Sequence, residues 1–501
     1  MTELLPENIW SADTVLQSLL RSWLRPQTLR WAEPTLVEMG RAAGGELHAW
    51  GDECERQPAT LRSYDGWGNR IDEVVYPEAW RKIAAVASEM GLVALPYERE
   101  SRDRIGPEVR IVQAALAYLF APSTATYLCP VAMTDGAARV LADFGSEPQR
   151  RETLSRLIDR DPGRAWTSGQ WMTERQGGSD VGQNAVLAKR DGDHWRLSGQ
   201  KFFCSNIGCE VALALARPEG AVAGTRGLAL FLVPRDHPQG GRNRYRIDRL
   251  KDKLGTRAMA TGEVTLDGAY AELVGGLDRG FAQMTAMLNI TRLHNAITAA
   301  ATMRRASMLA CAYAARREAF GRTLDKHPLQ QEVLREMAGQ ADGALFLTMR
   351  MAQLLGRIEA NAAAADEVSL FRLGIALAKL HTGKQAVAVV SEAIECFGGQ
   401  GYMEDTGLPR LLRDAQVLPI WEGTTNVLAL DALRVLRKPE TLEAVEAELI
   451  RLSAPGSQAA LDLARRVTTA DLESSERDAR RIAYALSESW TGGLLQKGGI
   501  G

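Results

Sequence analysis

The period of the hydrophobic pattern changes twice along this 501-residue chain, and those changes constrain its fold more than any other feature. Apolar residues first recur at helical spacing, then alternate with polar residues as in strands, and then return to helical spacing. The later helical segments are long enough for an up-down bundle. The pattern predicts an α+β multidomain protein with an N-terminal helical domain, a β domain, a C-terminal helical bundle and a short helical tail, at residues 1–165, 166–275, 276–437 and 438–501.

The β domain is expected to contain short strands joined by turns. Asp191-Gly192-Asp193 and Gly199-Gln200 have the composition of tight turns. Strands at this spacing predict an antiparallel barrel or sandwich. The segments with strand-like alternation are residues 185–189, 194–197, 201–205, 211–216, 228–233 and 262–266.

Composition excludes several classes of function. The chain is 46% hydrophobic and 24% charged, and its net charge of −2 offers no global attraction for nucleic acid or an anionic membrane. The six cysteines and six histidines are scattered, so neither a metal site nor a disulfide scaffold is expected. The N-terminus has no signal-peptide pattern, and no apolar run approaches the ~18 residues that a membrane span needs. We therefore expect a cytoplasmic protein, with its glycine-rich end at residues 498–501 frayed.

The sequence at residues 171–180, WMTERQGGSD, predicts a candidate cofactor site. An apolar run ends in Thr173, an acid and a glycine pair, which is typical of a strand that opens into a flat loop. Flat backbone N–H groups and the Thr173 hydroxyl can meet the heteroatoms of a flavin ring, and Ser179 can meet a phosphate. A strand followed by a tight hairpin explains the residues equally well.

Glu422 is the candidate base, because it lies between Trp421 and Gly423 in an otherwise apolar stretch. Burial raises the pKa of a carboxyl group and makes it a better base. An ordinary acid at a helix start, near Thr424, is the alternative, and the residues alone favour it. Glu174 is a poor candidate, because strand neighbours alternate and it points away from any ligand that Thr173 faces.

Five motifs together resemble signatures of the acyl-CoA dehydrogenase superfamily, in the form of the branch that contains the alkylation-response protein AidB. They are Met172–Thr173–Glu174 with Gly178–Ser179–Asp180, KFFCS at 201–205, REAFG at 317–321, ECFGGQGY at 395–402 and WEGTTN at 421–426. The resemblance implies the acyl-CoA dehydrogenase fold, bound FAD and a homotetramer built as a dimer of dimers. The sequence departs from the family at Glu395 and Pro328, where many relatives carry glutamine.

The same resemblance assigns roles to individual residues. Arg317 and Phe320 would meet the FAD of a neighbouring subunit, and Gly398 and Gly399 would lie near its adenosine half. Arg292 would face the acyl-CoA. Met133 and Thr134 are weaker candidates for lining the substrate pocket. The remaining residues implied to contact FAD are Gln170, Met172, Thr173, Gly178, Ser179, Phe203, Cys204, Ser205, Trp421, Gly423, Thr424 and Asn426.

The leading functional expectation is an FAD-dependent oxidoreductase of the acyl-CoA dehydrogenase type. By resemblance, Glu422 takes the α-proton of an acyl thioester while flavin N5 takes the β-hydride, and the electron acceptor stays unknown. The alternative is an AidB-like flavoprotein of the alkylation and stress response that protects DNA and has little dehydrogenase activity. The tail weakens this alternative: residues 438–501 carry eight Lys and Arg against ten Asp and Glu, a net charge of −2.

Overall fold

The computed structural model describes residues 2–498 of the chain, so the predicted fraying at the C-terminus lies largely outside the described residues. The described part is mainly helical, with a β-rich middle. The predicted order of helices, strands and helices is therefore confirmed. None of the helices described combines the length and the apolarity that crossing a membrane demands.

The helices before the sheet are mostly short. They are α1 Ile9–Ala12, α2 Thr14–Trp23, α3 Pro26–Gly44, α4 Glu46–Arg56, α5 Glu78–Glu89, α6 Arg99–Ile105, α7 Val109–Phe120, α8 Leu128–Phe144, α9 Glu147–Gln149 and α10 Ser155–Leu157. Those after the sheet include three of more than thirty residues. They are α11 Gly280–Ala314, α12 Pro328–Glu359, α13 Ala365–Cys396, α14 Leu408–Ala415, α15 Thr425–Leu436, α16 Pro439–Arg451, α17 Ser457–Thr469 and α18 Leu472–Lys497.

Strands occur in three places along the chain. The strands are β1 Thr60–Tyr64, β2 Arg70–Val75, β3 Ser168–Trp171, β4 Leu187–Asp191, β5 His194–Ser205, β6 Val211–Pro218, β7 Ala229–Pro234, β8 Tyr245–Leu250, β9 Thr261–Val274, β10 Glu318–Ala319 and β11 Arg322–Thr323. The β1–β2 hairpin interrupts a region whose pattern predicts only helices. The Asp65 carboxylate fixes its turn, because it accepts hydrogen bonds from the backbone N–H groups of Trp67 and Asn69.

Within residues 2–498, β3 to β9 form one seven-stranded sheet, and successive pairings of β6, β4, β5, β9 and β7 close a ring. Most of its pairings are antiparallel, as predicted, and the exceptions involve β6, which runs parallel to both β3 and β4. The long crossover between β3 and β6, which contains the β4–β5 hairpin, allows this parallel pairing. The predicted turn at Gly199-Gln200 is wrong, because β5 continues through both residues.

Gly199 instead marks an irregularity in β5. The pairing register of β5 with β9 shifts between Leu197 and Ser198, and Gly199 has φ +138°. A Cβ atom at this position would lie 2.9 Å from the Val186 side chain. Glycine is therefore needed here for backbone conformation and close approach, which are roles that sequence composition does not distinguish from a turn.

Strands β6 and β7 are buried on both faces, which explains their almost continuous apolar sequences. In β6, Ala212 and Ala214 face a core inside the ring, together with Phe231 of β7. Val211 and Leu213 face the opposite way, into a core that includes α8 and the first turns of α11. The residues on the two faces alternate with period two.

The chain divides into two compact units. One comprises Met1–His48, Arg99–Ser123 and Arg292–Gly501, and the other comprises Ala49–Glu98 and Thr124–Thr291. In the first unit, α18 packs against α12, α13, α15 and α17, and its Trp490 is almost fully buried. The helical tail is therefore part of the packed core of that unit.

Candidate active site

The candidate residues fall into two sets, and each set lies within one unit. In the second unit, β3 leads into the loop at residues 172–180. Glu174 is buried in this loop, where its carboxylate accepts hydrogen bonds from Lys201 Nζ at 2.7 Å and from the backbone N of Ala185 at 2.7 Å. Burial lowers the pKa of the Lys201 ammonium, although the attraction of Glu174 opposes that shift. Glu174 thus ties the loop to β5.

Alternation along β5 separates the candidate flavin contacts into two groups. The Cys204 side chain is fully buried in the core, so only its backbone is left to contact a ligand. Phe203 is 51% exposed on the opposite face, and Ser205, which shares that face, is half-buried. The Lys251 ammonium lies 4.3 Å from the centroid of the Phe203 ring, a contact that the sequence analysis did not anticipate.

The loop and its strand fit a planar, polar-edged cofactor. A Cβ atom at Gly178 would lie only 2.5 Å from Thr173 Oγ1, so glycine lets the loop fold back beside that half-buried threonine. Gln170 Oε1 is buried and has no hydrogen-bond partner among the residues described. Ser179 is exposed, while Met172 packs partly against the core. An unpaired amide oxygen, a closely folded glycine loop and an exposed aromatic face are features that a flavin can use.

Met133 and Thr134 lie on α8 behind β3. The Thr134 hydroxyl donates to the Pro130 carbonyl at 2.7 Å and accepts from the backbone N of Ser168 at 3.0 Å. Thr134 also borders a cavity of about 30 Å³, together with Trp166. Met133 is buried in the core that contains Met172. These contacts give both residues a supporting role for β3, and their contact with substrate stays a prediction.

In the first unit, Glu422 lies on the loop between α14 and α15. Its φ is +56° and that of Gly423 is +105°. A non-glycine residue in the left-handed region costs about 1–3 kcal/mol and persists only where its surroundings enforce it. The first turn of α15, which begins at Thr425, contains no acid. Glu422 therefore lies just before the helix and outside its first turn, and its role as the base stays a prediction.

Three side chains from two helices hold backbone carbonyl groups of this loop, and we name them the carbonyl anchors. On α11, Asn295 Nδ2 donates to Leu418 O at 3.2 Å, and Arg292 Nε donates to Glu422 O at 3.3 Å. On α13, Lys379 Nζ donates to Gly423 O at 2.5 Å. Together they explain how the loop maintains the left-handed conformation at Glu422.

Arg292 was predicted to face the substrate, and the structure gives it internal partners. It is mostly buried, and besides the Glu422 carbonyl it binds the Asp431 carboxylate at 3.0 Å. Asn295 and Lys379 were missed by the sequence analysis. Lys379 had a detectable signal, because it is a lysine inside the apolar helical run GIALAKL at residues 374–380.

Three of the predicted flavin contacts are close neighbours of Glu422 in the sequence. Trp421 is half-buried, and within residues 2–498 its indole Nε1 has no hydrogen-bond partner. Thr424 is the N-cap of α15, but its side chain makes no capping hydrogen bond. Thr424 and Asn426 are both exposed. A hydroxyl, an amide and an indole N–H thus lie within four residues of Glu422 along the chain.

Arg317 and Phe320 lie on the β10–β11 hairpin, directly after α11. Phe320 is 96% exposed and has φ +52°, and Arg317 is also exposed. Gly398 and Gly399 are exposed after α13, and a Cβ atom at either would meet no atom within 4 Å. The rings of Tyr313 and Phe397 stack at 4.1 Å, which joins the end of α11 to the end of α13. The two motifs are therefore neighbours.

No group of three or more His, Cys, Asp or Glu side chains in the described part of the chain is placed to hold a metal ion. The chemistry available at the two sets is that of one carboxylate, several hydrogen-bond donors and an exposed aromatic ring.

Three family models match successive parts of the chain. Residues 1–161 match the N-terminal domain of the adaptive response protein AidB, residues 169–269 the middle domain of acyl-CoA dehydrogenase, and residues 278–436 its C-terminal domain. Acyl-CoA dehydrogenase family member 11 of Caenorhabditis elegans is 40% identical over 519 residues, which cover 97% of this chain and 84% of the relative. The putative acyl-CoA dehydrogenase AidB of Escherichia coli (strain K12) is 36% identical over 419 residues, covering 81% and 75%.

A comparison with a crystal structure leads to the same family. The C. elegans protein ACDH-11 in complex with C11-CoA superimposes with a TM-score of 0.92 at 38% identity, covering 98% of this chain and 87% of that one. The predicted fold and the predicted resemblance to the AidB branch are both confirmed. The chain belongs to the acyl-CoA dehydrogenase family, whose members are oxidoreductases that act on CH–CH donors.

Proposed function

We propose that this chain is an FAD-dependent acyl-CoA dehydrogenase in which Glu422 is the general base. The observation that carries the proposal is the conformation of Glu422, which is left-handed and is maintained by the carbonyl anchors Arg292, Asn295 and Lys379. Backbone strain that the surroundings enforce is typical of functional positions. A carboxylate held in this way can remove the α-proton of an acyl thioester.

FAD, when bound, supplies the acceptor for the hydride that leaves the β-carbon. The residues of this chain that would hold it are Thr173, Ser179, Phe203 and Ser205, with Gln170 supplying its unpaired amide oxygen. The buried pair of Glu174 and Lys201 would keep the loop ordered for that purpose. Trp421, Thr424 and Asn426 would supply further polar contacts beside the base.

We further propose a coenzyme A thioester as the substrate and a homotetramer as the assembly. The C. elegans relative has been crystallised with C11-CoA, which supports an acyl-CoA as the class of substrate here. Arg317 and the 96%-exposed Phe320 support an assembly in which the hairpin contacts another subunit. Arginine suits a diphosphate, because its guanidinium can donate two parallel hydrogen bonds.

The test is anaerobic mixing of the flavinylated protein with a panel of saturated acyl-CoAs of increasing chain length. We expect bleaching of the flavin absorbance by at least one of them. Glu422→Gln should keep the FAD spectrum and the oligomer but lose ~10²–10⁴ in the bleaching rate, because the amide cannot accept the proton. Glu443→Gln, at an exposed acid on α16 outside the motifs, is the matched control and should bleach at the parental rate. Bleaching by Glu422→Gln at the parental rate would refute the assignment.

A further inference from the structure

Two consecutive phenylalanines of β5 share one position of the sheet. The pairing of β5 with β9 shifts register between residues 201 and 204, so Phe202 and Phe203 together lie opposite the single residue Glu263. Two residues against one is the pattern of a β-bulge, which redirects side chains and is frequent beside functional sites. The two rings meet edge to face, with centroids 5.3 Å apart and planes at 88°. The bulge therefore brings two aromatic rings together, and Phe203 is the exposed one.

Lys251, which directly follows β8, contacts both rings. Its ammonium lies 3.5 Å from the centroid of the Phe202 ring and 4.3 Å from that of the Phe203 ring. An aromatic face attracts an ammonium at these distances, and the attraction is stronger where water is excluded. Only 10% of the Lys251 side chain is exposed. The ammonium is thus shielded from solvent where it meets the rings.

Glu263 fixes the position of this ammonium. Its carboxylate accepts hydrogen bonds from Arg249 Nη2 at 2.7 Å and from Lys251 Nζ at 2.8 Å. The two hydrogen bonds lower the pKa of Glu263 to about 2, so its carboxyl group is ionised at neutral pH. The backbone N of Lys251 donates to Thr261 O at 2.8 Å. Lys251 is therefore held by β9 at its backbone and by the carboxylate opposite the bulge at its tip.

We propose that Lys251 is a positioning residue that holds the exposed Phe203 ring in the orientation in which it packs on the bound flavin. This inference rests on the proposed role of Phe203 as a flavin contact. An exposed phenylalanine side chain rotates about two torsions, and fixing it against a ligand costs conformational entropy. A ring that Lys251 already holds loses less freedom when the cofactor binds. The expected consequence is tighter binding of FAD.

Two substitutions separate the charge of Lys251 from its carbon chain. Lys251→Met keeps an unbranched side chain without the ammonium, and Lys251→Arg keeps a cation that can stack on aromatic rings. Arg249→Met is the matched control, because Arg249 binds the same carboxylate but in residues 2–498 lies over neither ring. The thermal midpoint of each variant is measured first, so that a folding defect is recognised before any affinity is interpreted.

The first measurement is the FAD dissociation constant of each apoprotein, from a titration followed by flavin fluorescence. We expect Lys251→Met to bind FAD about fivefold more weakly, which is the size of a typical cation–π contribution. Lys251→Arg and Arg249→Met should stay within about twofold of the parent. Phe203→Leu should also weaken binding, and Lys251→Met added to it should have little further effect, because both act through one ring.

The outcomes that refute Phe203 and Lys251 differ. Parental FAD affinity in Phe203→Leu would refute the flavin contact assigned to Phe203, and the role of Lys251 with it. A weakened Phe203→Leu beside a Lys251→Met protein with parental affinity would overturn the role of Lys251 alone. Additive losses in the double variant would overturn it too, because Lys251 would then act on FAD without the ring.

A second measurement needs no cofactor. In apoprotein that contains fluorinated phenylalanine, the fluorine resonance of Phe203 is identified by its loss in Phe203→Leu. We expect Lys251→Met to shift that resonance, since the ring loses its cation and its fixed orientation, while Arg249→Met leaves it in place. A parent that binds no FAD would refute the proposed function, whereas this resonance still shows whether Lys251 holds the ring. An unchanged Phe203 resonance in Lys251→Met would refute the proposal.

Discussion

Lys201 Nζ lies 2.7 Å from Glu174 Oε1, and both side chains are buried, so a closed ion pair joins β5 to the loop that carries Thr173 and Ser179. A second bond joins the same elements, because the backbone N of Phe202 donates to Thr173 O at 3.0 Å. The pair therefore connects two of the motifs that resemble flavin-binding signatures. The pair fixes the position of the loop more than it stabilises the fold, because the cost of burying both charges offsets much of their mutual attraction.

Removing one partner of this pair should be more damaging than removing both. Glu174→Gln leaves the Lys201 ammonium buried without its counter-ion, and we expect a loss of about 3–5 kcal/mol in the free energy of unfolding. Lys201→Met should cost a similar amount, and the double variant should cost less than either single variant, because it leaves no unpaired buried charge. Urea unfolding measures this, with Lys189→Met, an exposed lysine on β4, as the control. Additive losses would contradict the coupling.

Gly178→Ala tests the loop without changing any polar group. The added Cβ would lie 2.5 Å from Thr173 Oγ1, so either the threonine or the loop must shift. We expect FAD to bind about tenfold more weakly, a difference of about 1.4 kcal/mol, with the far-ultraviolet spectrum unchanged. Gly66→Ala, where a Cβ meets no atom within 4 Å, is the control. Parental FAD affinity in Gly178→Ala would show that the loop does not contact the cofactor.

Arg317→Ala tests the exposed hairpin. If Arg317 grips the FAD diphosphate of a neighbouring subunit, its loss should reduce FAD content and weaken the oligomer together. Flavin absorbance per chain and light scattering measure the two effects. Arg316→Ala is a matched control, because Arg316 is the preceding residue and is also exposed. A fully flavinylated, fully assembled Arg317→Ala protein would refute this assignment.

Lys379 should make the free energy of unfolding depend on pH. Its pKa is lowered to about 7 in the folded protein from an ordinary 10.5, so between these values the unfolded chain holds a proton that the folded chain has released. Folding stability then rises with pH across this window. Relative to Lys379→Met, the parent should gain stability as the pH increases from about 7. Its difference from Lys384→Met, at an exposed lysine of α13, should stay constant. Urea unfolding over that range checks the trend, and a parallel pH dependence would contradict it.

Much of the fold and part of the site could be predicted from the sequence, for identifiable physical reasons. Amphipathic runs, such as that of α2, report directly which face is buried, because Leu16, Leu19 and Leu20 recur at helical spacing and are the buried residues of that helix. Strand alternation also separates Phe203 from Cys204 without a structure. Strand β8 was missed because its alternation is short: it covers only residues 245–248 and breaks at Arg249, where the pairing register with β9 shifts.

The contacts that maintain the site could not be predicted in the same way. The carbonyl anchors are side-chain to backbone bonds across more than forty residues, and no local pattern encodes such a partner. The left-handed conformation of Glu422 likewise could not be predicted from the sequence, because glutamate has no preference for it. Gly199 is an error of another kind. Its composition predicts a turn, whereas the strand continues and needs a glycine because Val186 lies so close to the backbone.

The resemblance to AidB raises the question of whether this chain binds DNA. Phosphate contacts require unpaired basic side chains, and affinity built from them falls steeply with salt. In the tail, Arg465 is bound to Glu446 and Asp462, and Arg451 is bound to Glu448, so these cations are already neutralised. We therefore expect weak or no binding to duplex DNA at about 0.15 M salt.

Deleting the tail is a poor test, because α18 packs into the core of its unit and its loss would disturb the helices around it. The sharper variant replaces the exposed Arg477, Arg480 and Arg481 of α18 by alanine, which leaves the buried face intact. Fluorescence anisotropy with a labelled duplex, at several salt concentrations, should give the same weak signal for the parent and the triple variant. Tight binding that falls steeply with salt and disappears in the triple variant would show instead that this face of α18 contacts DNA.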